Sequence, residues 1–230
     1  MLRVAFIWDF DGVVVETPHE KAWALACKAW GISGFTREFY DKYVSGRPRL
    51  EGAANILSYL KHGGRPPSAE RLEEVERFAE LKTRIYLELL SRGEYRVRVD
   101  VVRFIQESRR EGALQVLASA SKNVRLWQDV ELVPGIRLDN LFDANVSGSA
   151  PTKLGVFSNA VVKARELLGE PECLVFFDDA PSGVEAAKRL GGKAVGCFNE
   201  KLKSSMPDYF VPSFEKLHFR DILSAVGCLP

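Results

Sequence analysis

The apolar run Arg3-Val4-Ala5-Phe6-Ile7-Trp8 leads without a break into Asp9-Phe10-Asp11-Gly12-Val13. A strand that ends this way places two acids at the open edge of a sheet. Side chains alternate along a strand, so positions i and i+2 project to the same side and bring Asp9 and Asp11 together. Two acids that close repel each other unless a cation or a shared proton relieves them. A divalent metal beside a nucleophilic or acid–base carboxylate is one resolution. A solvated acidic turn is the other, and D-x-D-G alone does not choose between them.

The 230 residues can hold one large domain, or a core domain with a smaller one. A hydrophobic share of 46% is ample for a packed core. The net charge of +1 makes no long-range field, so neither nucleic acid nor an anionic membrane surface is an expected partner. A small phosphorylated substrate remains compatible, since it needs only a local positive pocket. No apolar run approaches the roughly 20 residues of a membrane span. Asp9 and Asp11 interrupt the only stretch that resembles a short signal peptide, and no small-residue cleavage site follows. A cytoplasmic protein is expected, as a monomer or, alternatively, a homodimer. Cys27, Cys173, Cys197 and Cys228 are scattered with no C-x-x-C, which reads as buried thiols rather than a metal cluster or disulfide framework. Few Met and Gln beside many Glu, Arg and Lys is also a heat-adapted composition, and in such a source a cysteine pair could be oxidised inside the cell.

Two textures alternate along the chain. Residues 1–15 read as a buried strand and loop, and residues from about 17 to 95 carry helical periodicity. Thr17-Pro18 starts a first helix that Gly31 ends. A second runs over 36–44, and a third from near Pro48 to His62-Gly63-Gly64. Ser68 caps a long charged helix to Leu90, with Leu72, Val75, Phe78, Ala79, Ile85 and Leu89 inward. From about residue 98 strands and helices alternate: helix 101–110, strand 113–118, helix 121–131, strand 142–146 and helix 154–168. Strand 174–177, helix 182–190, strands 194–198 and 209–211, and helix 214–226 complete the series. This pattern predicts an α/β fold, a doubly wound parallel sheet, into which a four-helix block is inserted. The expected division is 1–15 and 96–230 for the core and 16–95 for the helical insertion.

In open parallel sheets, ligands bind beyond the carboxyl ends of the strands. One strand here ends in Asp9 and Asp11, another in Ser119-Ala120-Ser121-Lys122-Asn123, and a third in Asp178-Asp179. If these strands are neighbours, four carboxylates converge on one crevice, which implies a hard divalent cation, Mg²⁺. The loop 119–123 offers backbone N–H groups and a helix start to a phosphoryl oxygen. Lys153, just before a helix, is the best-placed further cation.

This set resembles the haloacid dehalogenase superfamily of phosphotransferases over essentially the whole chain. Asp9-x-Asp11-Gly12-Val13 is similar to its first motif and Ser119 to its second. Lys153 fits the third, and Phe177-Asp178-Asp179-Ala180-x-Ser182-Gly183 the fourth. The helical insertion stands where the family's small cap stands. His19-x-x-Ala22-Trp23, Ser45-Gly46-Arg47-Pro48-Arg49 and Lys82-x-x-x-Tyr86 look most like the β-phosphoglucomutase and sugar-phosphatase branch. The resemblance implies a Rossmann-like core and a Mg²⁺-dependent phosphatase of a sugar phosphate, or alternatively a β-phosphoglucomutase-like transfer. Asp9 would be the nucleophile and Asp11 the general acid and base. Asp9, Asp11, Asp178 and Asp179 would hold the metal. Ser119, Ala120, Asn123 and Lys153 would cradle the phosphoryl group, while Arg47, Arg49, His19 and Lys82 would meet the rest of the substrate. The chain departs from the family pattern at Pro151-Thr152-Lys153, where proline precedes the lysine, and at Glu16-Thr17, where Asp is usual. Dehalogenation is disfavoured because Asp11 offers a proton that a halide leaving group does not need. A catalytically silent interaction module is disfavoured by the complete acid–metal–lysine set.

Overall fold

All five side chains of the first strand, β1 (Val4–Trp8), are buried, as an apolar run covered on both sides of a parallel sheet requires. The computed structural model describes residues 2–65 and 71–229; the helix cap expected at Ser68 lies outside them. The chain forms two units, one of Met1–Glu16 with Val97–Pro230 and one of Thr17–Arg96. Short strands β2 (Val15–Glu16) and β3 (Arg96–Val97) pair with each other. The remaining strands are β4 (Leu114–Leu117), β5 (Ala144–Asn145), β6 (Cys173–Asp178), β7 (Lys193–Cys197) and β8 (Tyr209–Val211). With β1 they make one six-stranded parallel sheet in the order β5-β4-β1-β6-β7-β8. Trp8 is in register with Leu117 on one side and Phe177 on the other, so β1, β4 and β6 end at one level.

Alternation along the strands divides this core in two. Ala5, Ile7, Val116 and Phe176 face α7 (Lys153–Leu168) and α8 (Pro181–Arg189), meeting Val156, Phe157, Ala160 and Ala187. Phe6, Trp8 and Phe177 face the other way, towards Phe104 of α5 (Val99–Arg110), Phe219 of α9 (Phe219–Ala225) and Phe214. Trp8 stacks on Phe177 with ring centroids 3.8 Å apart, and its indole N–H donates to Gln115 Oε1 at 2.9 Å. The polar end of a fully buried ring is thereby satisfied.

The second unit contains α1 (His19–Ala29), α2 (Arg37–Tyr43), α3 (Arg49–Ile56), which runs into a π-helical turn (Leu57–Lys61), and α4 (Leu72–Ser91). Its core is Trp23, Ala26, Cys27, Ile32, Val44, Ala53, Ile56, Leu57, Val75, Phe78 and Ala79. Leu72, expected on the inner face of α4, is 57% exposed, because the buried stripe begins one turn later at Val75.

Three expectations are corrected. The helix expected over 121–131 is a 3₁₀ turn, Lys122–Trp127. Val124 and Trp127 are both buried and stand three apart, the period of that tighter helix, before the Pro134-Gly135 turn takes the chain away. The short α6 (Leu138–Leu141) occupies the chain ahead of β5. The last helix begins at Phe219 rather than Phe214: the Phe214 N–H donates to Asp100 and its carbonyl accepts from Arg103, so its backbone is engaged by α5. The cysteines are not all thiols either. Cys173 at the start of β6 is bonded to Cys228 beyond α9, and Cys27 and Cys197 are free and buried. No helix among the described residues is long and apolar enough to cross a membrane.

Candidate active site

Asp9 and Asp178 each prolong the strand face that carries Ile7 or Phe176, the face on which α7 packs. Lys153 is the first residue of α7, and the Thr152 side chain fixes that start by accepting from the Gly155 N–H at 3.1 Å. The lysine therefore enters the helix already under the sheet edge. Its ammonium lies 2.9 Å from Asp9 Oδ1 and 2.9 Å from Asp178 Oδ2, with all three residues buried. Neither carboxylate oxygen makes a well-aligned hydrogen bond, so each relies on the ammonium as an ion-pair partner. The departure at Pro151-Thr152-Lys153 thus leaves the lysine beside the acid that ends β1.

Asp9, Asp178 and Asp179 can each bring a carboxylate oxygen within 4.8 Å of the others. Two glycines make that approach possible. A Cβ on Gly183 would lie 2.0 Å from Asp178 Oδ2, and one on Gly12 would lie 2.0 Å from Asp179 Oδ2. The Ala180 N–H donates to Asp178 Oδ1 at 2.8 Å, and Asn199 Nδ2 donates to the Asp179 carbonyl at 3.3 Å. Burial raises the Asp9 carboxyl to about 7 against the pull of Lys153, with Asp178 and Asp11 adding to the rise. Burial and the charges of Asp178 and Asp9 likewise push Asp179 well above the ordinary carboxylate range. Burial alone would lower the Lys153 ammonium, but Asp178 and Asp9 outweigh it and hold the group above an ordinary lysine. Two buried carboxylates and a partly buried third thus stand around one ammonium. The residues fit a hard divalent cation, because an all-oxygen donor set with excess negative charge is what such an ion takes.

Ser119 follows β4 at the same level. Its hydroxyl lies 3.4 Å from Asp11 Oδ2 and accepts from the Ser121 N–H at 3.1 Å. The Ser119 N–H donates to Ser147 Oγ at 3.0 Å, and its carbonyl accepts from Gly148. Ala120 lies between these two serines, and the Asn123 N–H donates to Ser121 Oγ at 3.2 Å. The loop from Ser119 to Asn123 is therefore held on several sides. The structure brings Asp9, Asp178, Asp179 and Lys153 together, and Asp11 with Ser119.

The other expected residues belong to the helical unit. Lys82 is only 3% exposed, so it is not on a solvated helix face. Its Nζ lies 2.6 Å from His19 Nδ1 and over the rings of Tyr86 at 4.8 Å and Trp23 at 5.2 Å. His19 in turn stacks on Tyr86 with centroids 4.3 Å apart. An ammonium can only donate, which makes His19 Nδ1 the acceptor. Arg49 Nη1 donates to Thr83 Oγ1 at 2.8 Å, whereas Arg47 pairs with Glu51 one turn along α3. The two arginines thus have different partners. Gly183 belongs to the fourth motif, whereas Ser147 and Asn199 are not among the residues the sequence singles out. Asn199 stands two residues beyond β7 and Ser147 two residues beyond β5, so the rule that ligands gather at strand ends is a usable signal for both.

This arrangement agrees with what the chain is similar to. A family model described as haloacid dehalogenase-like hydrolase matches residues 4–191. The archaeal β-phosphoglucomutase from the hyper-thermophilic Pyrococcus sp. strain ST 04 is similar over 98% of this chain and 100% of that one, with 41% identity and a TM-score of 0.79. CbbY from Rhodobacter sphaeroides, solved in complex with phosphate, is 24% identical over 94% of this chain and 96% of its own, with a TM-score of 0.70. Protein CbbY of Cereibacter sphaeroides is 24% identical over 220 residues, 93% of each chain. The two likenesses at 24% bear on the fold alone. The family match spans the strand-end carboxylates, the Ser119 loop and the lysine between them, and on it the chain belongs to the haloacid dehalogenase-like hydrolases, as a phosphatase or phosphotransferase of that family.

Proposed function

We propose that the protein is a Mg²⁺-dependent phosphatase of a small phosphorylated sugar, acting through an aspartyl-phosphate on Asp9. The observation that carries this reading is the Lys153 ammonium, 2.9 Å from both buried carboxylates Asp9 and Asp178, in a cluster that Asp179 completes. Asp9 attacks phosphorus through a carboxylate oxygen while the bond to the departing sugar oxygen breaks, and Asp11 gives that oxygen its proton. Asp11 then takes a proton from water, the water oxygen bonds to phosphorus, and the Asp9–phosphorus bond breaks to release inorganic phosphate. Ser119, the Ala120 N–H, Asn123 and Lys153 bind the phosphoryl oxygens. Preorganised donors of this kind supply most of the rate in such transfers. Asp9, Asp178 and Asp179, with the Asp11 backbone carbonyl, would hold the metal, which when bound neutralises charge on the transferring group. Arg49 and Arg47 are proposed to bind the far end of the substrate and His19 with Lys82 its hydroxyls.

A second reading is return of the phosphoryl group to another hydroxyl of the same sugar. The 41% identity to a protein named as a β-phosphoglucomutase favours it. Incubation with Mg²⁺ and either p-nitrophenyl phosphate or β-glucose 1-phosphate decides between the fates. Release of inorganic phosphate supports hydrolysis, and formation of glucose 6-phosphate supports the mutase. Activity that survives Asp9→Asn would eliminate both.

A further inference from the structure

Arg98 precedes α5, and its backbone N–H donates to the Val14 carbonyl at 3.0 Å. Its side chain has three partners within the core unit. Nε donates to the Gly12 carbonyl at 3.2 Å, Nη2 lies 2.7 Å from Glu16 Oε1, and the guanidinium carbon sits 3.6 Å from the centre of the Phe198 ring. Only an arginine can combine a fork of donors with a flat cationic face in this way.

Phe198 itself is unusual. Its φ is +61°, and the Asn199 N–H donates across it to the Cys197 carbonyl at 2.6 Å, closing a three-residue turn of the rare left-handed kind. A bulky side chain is seldom found there unless its surroundings hold it, and such strain gathers at functional sites. The turn presents the Asn199 side chain to the Asp179 carbonyl at 3.3 Å. On its other flank Asp179 rests its carboxylate against Gly12, where a Cβ would be 2.0 Å away. Arg98 therefore touches both supports of Asp179: the Gly12 peptide directly, and Asn199 through the ring of Phe198.

We infer that Arg98 is a positioning residue for the candidate metal centre, clamping the Gly12 loop and the Phe198 turn so that Asp179 stays beside Asp9 and Asp178. It touches neither the cation nor the substrate on this view, and it acts through Gly12 and Asn199. The inference rests on the proposed reading of these carboxylates as a Mg²⁺ site.

The test compares the full-length wild type with Arg98→Lys, Phe198→Leu and, as a control, Arg103→Met. Arg103 lies on α5 and donates to the carbonyls of Phe214, Glu215 and Leu217 rather than to the Gly12 loop or the Phe198 turn. Mg²⁺ affinity is measured by calorimetric titration, and kcat and KM with p-nitrophenyl phosphate. Arg98→Lys keeps the charge but loses the fork. It is expected to weaken Mg²⁺ binding about tenfold or more and to lower kcat, leaving KM within about twofold. Raised Mg²⁺ should restore part of the lost kcat. Phe198→Leu is expected to move Mg²⁺ affinity in the same direction by less, whereas Arg103→Met should lower the melting temperature and leave Mg²⁺ affinity alone. Wild-type Mg²⁺ affinity in both Arg98→Lys and Phe198→Leu would overturn the inference and leave the proposed function standing. Equal weakening in Arg103→Met would reduce Arg98 to a structural arginine. A wild type that neither binds Mg²⁺ nor cleaves the ester would remove the proposed function and this inference with it.

Discussion

Gly12 can be no other residue while Asp179 keeps its place: φ at Gly12 is +85°, and a Cβ there would lie 2.0 Å from Asp179 Oδ2. The glycine serves the turn after β1 and the close approach of a carboxylate to the backbone at once. Gly12→Ala is expected to cost about 1–2 kcal/mol through the backbone alone. It should also displace Asp179 and weaken Mg²⁺ binding by about tenfold or more. Thermal melts and a calorimetric Mg²⁺ titration check the two effects separately. Unaltered Mg²⁺ affinity would take Asp179 out of the proposed ligand set.

Lys153 is the ammonium that Asp9 and Asp178 share. Lys153→Met should reduce turnover of p-nitrophenyl phosphate by about 10²–10³-fold, the usual effect of removing a preorganised charge from a developing anion. Leaving the carboxylates without it should also destabilise the metal-free protein at pH 8 by about 3–5 kcal/mol. Turnover within about threefold of wild type would rule out a phosphoryl-binding role for this lysine.

The Asp9 carboxyl, raised by burial from 3.8 to about 7, sets a pH dependence of known sign. Below about pH 4 both folded and unfolded chains hold the proton, and Asp9 costs the fold nothing. Between there and about 7 the folded chain binds more proton than the unfolded one, so stability falls as pH rises, and the loss is complete above it. Asp9→Asn should therefore raise the melting temperature of the metal-free protein at pH 8 and give little gain near pH 4. Mg²⁺ should narrow the difference at pH 8, because it opposes the same repulsion. A gain equal at both pH values would show that the Asp9 charge is not the cause.

Cys173 and Cys228 are 55 residues apart in sequence and tie the start of β6 to the chain beyond α9. Closing a loop of that length in the unfolded chain is worth about 4 kcal/mol on the chain-entropy account. Reduction, or Cys228→Ser, should lower the unfolding free energy by up to that amount in denaturant titrations. Activity at moderate temperature should persist, since Cys173 stands at the opposite end of β6 from Asp178. A stability unchanged by reductant would mean that the reduced, unfolded chain is equally constrained.

Much of the core was legible because its signals are local. The apolar run of β1, the two-residue spacing of Asp9 and Asp11, and the alternation after residue 98 depend on neighbours in sequence. Hence the parallel sheet and its strand-end acids could be read directly. The same local reading overextended the helix after Ser121 and the one before Val226. Propensity does not see that Val124 and Trp127 are both buried, nor that the Phe214 backbone is bound by Asp100 and Arg103. The burial of Lys82 is beyond a local reading for a related reason. Its neighbours along α4 are rich in charge, yet the rings of Trp23 and Tyr86 and the His19 imidazole enclose it.

The sequence by itself put acids at the ends of parallel strands, for which strand period and residue type are enough, and its resemblance to a known superfamily implied the class of chemistry. Only the tertiary structure decided which groups hold them there. Lys153 comes to Asp9 from α7, Gly12 makes room for Asp179, and Arg98 reaches Gly12 across 86 positions of chain. Contacts of that range leave no periodic trace, since they arise from where the sheet and its helices place side chains rather than from any pattern along the chain.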